Sequence, residues 1–161
     1  MLTTLVSAVA VARPQRDHLT DQETEAVRNN QELDKRTGVF IKAADRRLLV
    51  LTDPAGAAAK ISKKDLENFG PLPTGTRVQL LDDLAGILDE AADKIDDVAE
   101  RDEKNPLLMK SLKKLNEAAL RYVEQLKTIG AAATTNDERT AVEHAADSAR
   151  VIIDAAKRLG A

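Results

Sequence analysis

The chain has no cysteine and no tryptophan, and its aromatic residues are limited to Phe40, Phe69 and Tyr122. Without cysteine there can be no disulfide, thiolate zinc site, iron–sulfur cluster or cysteine nucleophile. With so few aromatics the core has to be assembled from Leu, Ile, Val and Ala, a composition suited to closely packed helices. An excess of positive charge is also missing, since 24 Lys and Arg stand against 27 Asp and Glu for a net charge of -3. Binding DNA or RNA requires a positive field that displaces counterions from phosphates, so nucleic acid is not an expected partner. No apolar run approaches the roughly 20 residues that a membrane-spanning helix needs, and no integral membrane segment is expected.

What is present is 161 residues with 43% apolar and 32% charged side chains, enough for one folded domain with a single core. Residues 1–19 stand apart as an apolar or signal-like tail. MLTTLVSAVAVARPQ carries an apolar run over residues 5–12, and Ala8-Val9-Ala10 and Ala10-Val11-Ala12 both offer the small-x-small pattern that signal peptidase reads. No Lys or Arg precedes the run, so the expectation of an exported protein, periplasmic or extracellular, competes with a cytoplasmic one in which the segment is a tail or strap.

The rest, residues 20–161, reads as a single helical domain. Thr20 and Glu23 form a capping-box pattern, which starts a helix near Asp21. Asn29, Asn30 and Gly38 bend or break it, and Leu33, Phe40, Ala44, Leu48 and Leu51 carry helical spacing on to about Thr52. Asp53-Pro54 ends that segment. An irregular connection follows at about 53–76, rich in Pro and Gly, with a short helix expected over 60–69. LPTGT within it lacks the residue between Pro and Thr that a sortase signal needs, and is read as a loop. Three long helices come next: about 76–101, then one after Asn105-Pro106 running to Gly130, and a last one capped by Thr135 or Asn136. Nothing alternates with period two. The expected fold is therefore all-α, an up-and-down antiparallel helical bundle of three long C-terminal helices plus a bent or broken N-terminal helix.

The densest run of carboxylates, LDDLAGILDEAADKIDDVAERDE, belongs to the first long helix. If Leu81, Leu88 and Ile95 are heptad position a, then Leu84, Ala91 and Val98 are d and Ala85, Ala92 and Ala99 are e. Asp82, Asp89 and Asp96 then fall at b, Asp83, Glu90 and Asp97 at c, and Asp93 and Glu100 at f, all eight pointing outward. A di-metal bundle needs its carboxylates to converge inward. A face of this kind solvates a helix; Asp89, Asp93, Asp96 and Asp97 offer at most a surface site for a divalent cation. Residues 82–103 hold ten acids and two bases, whereas 104–128 hold six bases and two acids. As short loops make consecutive helices neighbours, opposite charges are expected to pair across this hairpin.

No other constellation carries chemistry. His18 is expected in a mobile tail and His144 on the outer side of the last helix. Met109 with His144 is the one conceivable haem pair, with no CxxCH and few aromatics to support it, and no cofactor is expected. Ser111-Leu112-Lys113-Lys114 lacks the companion motifs of serine acyl transferases. Tyr122 at position d reads as core with its hydroxyl at the rim.

LTDQETEAVRNNQELDKRTGVFIKAADRRL resembles the opening helices of a loosely defined group of uncharacterised, often exported, bacterial all-helical proteins, and LDEAADKIDDVAERDEKNPLLMKSLKKLNEAALRYVEQL is similar to their later part. ADKIDDVAE also resembles the acidic helix motifs of PhoU-like phosphate regulators. The first resemblance carries no assigned activity; the three continuous apolar seams, the lack of a convergent polar cluster and the apolar start are what point to a non-catalytic helical protein that binds an unidentified protein partner or copies of itself through a helix face. The second resemblance implies a cytoplasmic regulator or divalent-metal-binding bundle.

Overall fold

The computed structural model of the protein describes residues 16–161, so the signal-like run at 5–12 lies outside the described residues. The elements are α1 (Asp21–Asn29), α2 (Leu33–Thr52), α3 (Ala57–Lys60), α4 (Lys63–Phe69), α5 (Arg77–Arg101), α6 (Leu107–Ala131) and α7 (Asn136–Leu159), with no strand among the described residues. This is the all-helical bundle that the apolar periodicity indicates.

Local chemistry sets the helix ends. Thr20 Oγ1 accepts from the Glu23 amide at 3.2 Å while Glu23 Oε2 accepts from the Thr20 amide at 2.9 Å, a complete capping box. Thr76 and Gln79 form a second one at the head of α5, and Thr135 caps α7. The N-terminal helix breaks at residues 30–32, where the Asn30 side chain turns back to the Ala26 carbonyl at 2.7 Å and competes with helix continuation. Gly38 lies within α2 instead. A Cβ there would sit 2.8 Å from Lys114 Nζ, the movable end of a side chain from α6. Gly160, at φ +72°, closes α7 in the left-handed conformation.

The four long helices alternate in direction along the chain, but their lateral arrangement is not the one that loop length suggests. α2 packs on α5 and α6, and α7 packs on the same two, whereas consecutive α5 and α6 lie across the bundle from each other and touch little. Ion pairs mark the directions: Asp34 near the start of α2 meets Lys110 near the start of α6, and Arg77 at the start of α5 meets Glu138 at the start of α7. Each of those lateral pairs is therefore parallel. The reason lies in α5, whose apolar arc is wider than positions a, d and e. Leu80 and Ile87 at g are buried together with Leu81, Leu84, Ala85, Leu88, Ala91 and Ile95. A helix apolar on both flanks takes two lateral neighbours, and the remaining helix is left opposite. The charge pairing expected between α5 and α6 is thus not made: among the described residues no ion pair joins them.

The core runs the length of the bundle and is built from leucine, isoleucine and many alanines, including Ala43, Ala44, Ala118, Ala119, Ala145 and Ala149. Tyr122 is fully buried and its hydroxyl donates at the rim to Asp45 Oδ1, 2.7 Å away, with the Ile41 carbonyl at 3.1 Å. Burial and the Asp45 carboxylate both push the phenol far above its ordinary range.

Candidate functional site

α2 carries Arg46 and Arg47 in succession, and the structure buries both, with side chains 2% and 1% exposed. Buried charge persists only when paired. The partner supplied by α1 is Glu23, the same residue that closes the capping box. Its other oxygen, Oε1, lies 2.6 Å from Arg47 Nη1 and 3.2 Å from Arg46 Nε. Asp83 of α5 comes from the other side, with Oδ2 3.8 Å from Arg47 Nε and 2.9 Å from Arg16 Nη2. Backbone carbonyls complete the set. Arg47 donates to Ala43 at 3.1 Å and His18 at 2.8 Å; Arg46 donates to Gly70 at 2.9 Å and also to Pro71. The Arg46 guanidinium also lies over the Phe69 ring, 5.8 Å from its centroid.

This network ties together the strap at 16–19, α1, α2, the loop after α4 and α5. Burial raises the Asp83 carboxyl, against the pull of Arg16 and Arg47, and lowers Arg46, against the pull of Glu23. Each carboxylate here already has a guanidinium within ion-pair distance. Such an arrangement fastens helices together, and of its two carboxylates Asp83 also lines a cleft, beside Arg16 and His18.

Two expectations need correction. Asp83 does not point outward at position c; it is buried, because α2 packs against that flank of α5 and brings Arg47 with it. His18 does not belong to a mobile tail. Its Nε2 is 2.6 Å from Glu90 Oε2, its carbonyl accepts from Arg47, and its ring lies over Gly86, where a Cβ would come within 3.0 Å. The interior is therefore not uniformly apolar. One signal was available in the sequence: Arg47 falls seven residues after Phe40 and four before Leu51, on the core stripe of α2, so it required a buried acid.

The acids weighed as a surface cation site, Asp89, Asp93, Asp96 and Asp97, are exposed. Among the described residues, no group of three or more His, Asp or Glu side chains gathers as metal ligands. His144 is exposed and shares a cleft of about 410 Å³ with Arg16, His18, Asp82 and Asp89. Met109 lines a different cleft, so the conceivable haem pair is not brought together.

That second cleft is lined largely by apolar side chains. It holds about 440 Å³ where the ends of α5 and α7 meet the start of α6, and its lining includes Ile95, Ala99, Leu108, Leu112, Met109 and Leu159. Met109 is 46% and Leu159 64% exposed at its rim. Among the described residues, no helix is long and apolar enough to cross a membrane. No known protein family matches the chain, and no curated protein or solved structure is similar to it.

Proposed function

We propose that this protein acts by binding another polypeptide, either a partner protein or a second copy of itself, and carries out no catalysis. The observation that carries this reading is the cleft at the junction of α5, α6 and α7, where Met109 and Leu159 present apolar surface to solvent beside Ile95 and Leu112. Apolar side chains left exposed around a concavity gain free energy when a partner covers them. The buried ionisable groups support it from the other side, since Glu23, Arg46, Arg47 and Asp83 are engaged with one another. Export belongs to the same reading and rests on the apolar run at 5–12 with its small-x-small sites. A mature protein that has lost about its first twelve residues, measured by intact mass from the native cell, supports it; a full-length mass refutes it.

The binding test is a Met109→Glu, Leu159→Glu double variant. Both residues are exposed, so the helical content and melting temperature of the variant stay close to those of the parent. Its concentration-dependent sedimentation, or its in-cell cross-linking to a partner, is lost. A parent that is strictly monomeric and forms no cross-link in its native cell overturns the proposal.

A further inference from the structure

On the other flank of α5 lies a cleft of a different character. It measures about 400 Å³ and brings together residues from the strap, α1, the break after α1, α2 and α5. Arg28, Arg36 and Lys94 supply three permanent cations to its wall, with Thr24 and Gln31 beside them, while Leu19 and Val27 form apolar lining. The two acids present are Asp17 and Glu90, and Glu90 is already engaged by His18 at 2.6 Å.

The cations are placed in a way that solvation alone does not require. Lys94 is one of only two bases among residues 82–103, in the middle of a strongly acidic stretch of α5, yet it turns toward this cleft and forms no ion pair among the described residues. Arg36 is held by its own surroundings: Nε donates to the Asn30 carbonyl at 3.0 Å and Nη2 to Gln31 Oε1 at 2.9 Å. Its guanidinium is thus oriented by the break between α1 and α2 without being neutralised. Arg28 has one carboxylate near it, Glu25, at 3.9 Å and well exposed, a distance at which an ion pair contributes little. The result is a concavity with more donors than acceptors and a net positive lining, on a protein whose net charge is -3.

We propose that this cleft binds a small organic anion, a carboxylate or phosphate monoester carrying a short aliphatic part. Arg36 and Lys94 receive the anionic head, Arg36 as a planar fork and Lys94 as a point charge. Leu19 and Val27 receive the aliphatic part. The volume lies at the lower end of the range of about 300–1,000 Å³ found for small-molecule sites, which sets the ligand at metabolite size and leaves no room for a folded partner. The site is independent of the polypeptide-binding reading. Lys94 and Glu90 line this cleft, whereas Ile95, Asp96 and Ala99 of the same helix line the apolar one.

The test is calorimetric titration of the full chain with hexanoate and hexyl phosphate, each beside its counterpart without a tail, acetate and inorganic phosphate. A charge-assisted contact and a short buried tail are each expected to change affinity about tenfold. The tailed anions therefore bind about tenfold tighter than the tailless ones, and the tighter of the two tailed anions identifies the head group. Lys94→Gln and Arg36→Gln each weaken binding about tenfold, while Lys64→Gln on exposed α4 leaves it unchanged. Arg36 also braces the α1–α2 break, so its variant is read beside a melting curve; Lys94→Gln removes no hydrogen bond or ion pair of the fold and stands by itself. Absence of saturable binding by both tailed anions overturns the proposal. So does equal affinity with and without the tail, or a loss in Lys64→Gln equal to that in Lys94→Gln.

Discussion

The corner where α1, α2 and α5 meet and the contact between α6 and α7 are held in different ways. At the corner, Glu23, Arg46, Arg47 and Asp83 meet in ion pairs that have both distance and direction, and the two guanidinium groups between them reach five carbonyls of the surrounding chain. α6 and α7 instead pack closely through an apolar core, to which α6 contributes the buried Ala118 and Ala119 and α7 the buried Ala145 and Ala149. Apolar packing rewards any close fit, whereas a buried ion pair rewards one placement and penalises all others. The difference teaches that helices joined by a short loop can rely on packing, while the strap and the long connection at 53–76 are pinned by charge.

The largest effect is expected from removing the shared acid of the corner. Glu23→Ala leaves two buried guanidinium groups with one carboxylate between them, and should cost about 3–5 kcal/mol in denaturant unfolding. A cost below about 1 kcal/mol would show that the corner is held by packing like the rest. Overpacking the other region sharpens the contrast. Ala149→Leu, at a fully buried position of α7, should cost about 1–3 kcal/mol by forcing α6 and α7 apart. Tyr122→Phe removes a single hydroxyl that donates at the rim of the core, and about 1 kcal/mol is expected from the same measurement.

Smaller still is the response to acid, and it separates the two kinds of carboxylate. Lys60 holds Asp53 below the ordinary carboxylate range, and Lys42 does the same to Asp65, in each case first through a side-chain hydrogen bond. Their contribution to stability is present above the unfolded value of 3.8 and is lost as pH falls through the lowered folded value. Asp83 has the opposite sign. Burial raises it, so its contribution is present below the unfolded value and is lost as pH rises through the folded one. Amide exchange should therefore show the connection at 53–76 opening below about pH 4, whereas protonation of Asp83, which comes first as pH falls, does not drive opening of the corner. Asp65→Asn, which lacks the charge at every pH, should loosen the connection already at neutral pH and remove much of the pH dependence of its opening. The smallest effect is expected from divalent cations. Asp89, Asp93, Asp96 and Asp97 do not converge, so millimolar magnesium, calcium or manganese should leave the melting temperature unchanged; a rise of several degrees that Asp93→Asn abolishes would restore a metal-binding reading.

Much of the fold was legible because it depends on neighbours in the chain. The capping box at Thr20, the break at Asn30, the proline-rich connection and the three long helices all follow from interactions within a few residues. The lateral order of the helices was not legible in the same way. Reading only a, d and e on α5 left out Leu80 and Ile87, and with them the second flank that makes α5 a corner helix with α6 opposite. The candidate sites show the same division. Most acids of α5 were placed correctly by periodicity; the exceptions are Glu90, half-buried against His18, and Asp83, whose fate was decided by an arginine 36 positions earlier in the chain. Neither cleft could be read from the sequence, since each gathers residues from at least three separated segments.

The order of apolar and polar residues by itself determined that this chain is helical, where most of its helices begin and end, and that most of its charge faces water. Backbone hydrogen bonding and the 3.6-residue turn act locally and need no partner to express themselves. Only the tertiary structure decided which helices stand side by side, that Glu23 and Asp83 share the interior with Arg46 and Arg47, and that Lys94 turns from an acidic helix toward a basic cleft. Those outcomes depend on which surfaces meet, and a charge becomes buried or exposed only when another element arrives to cover it.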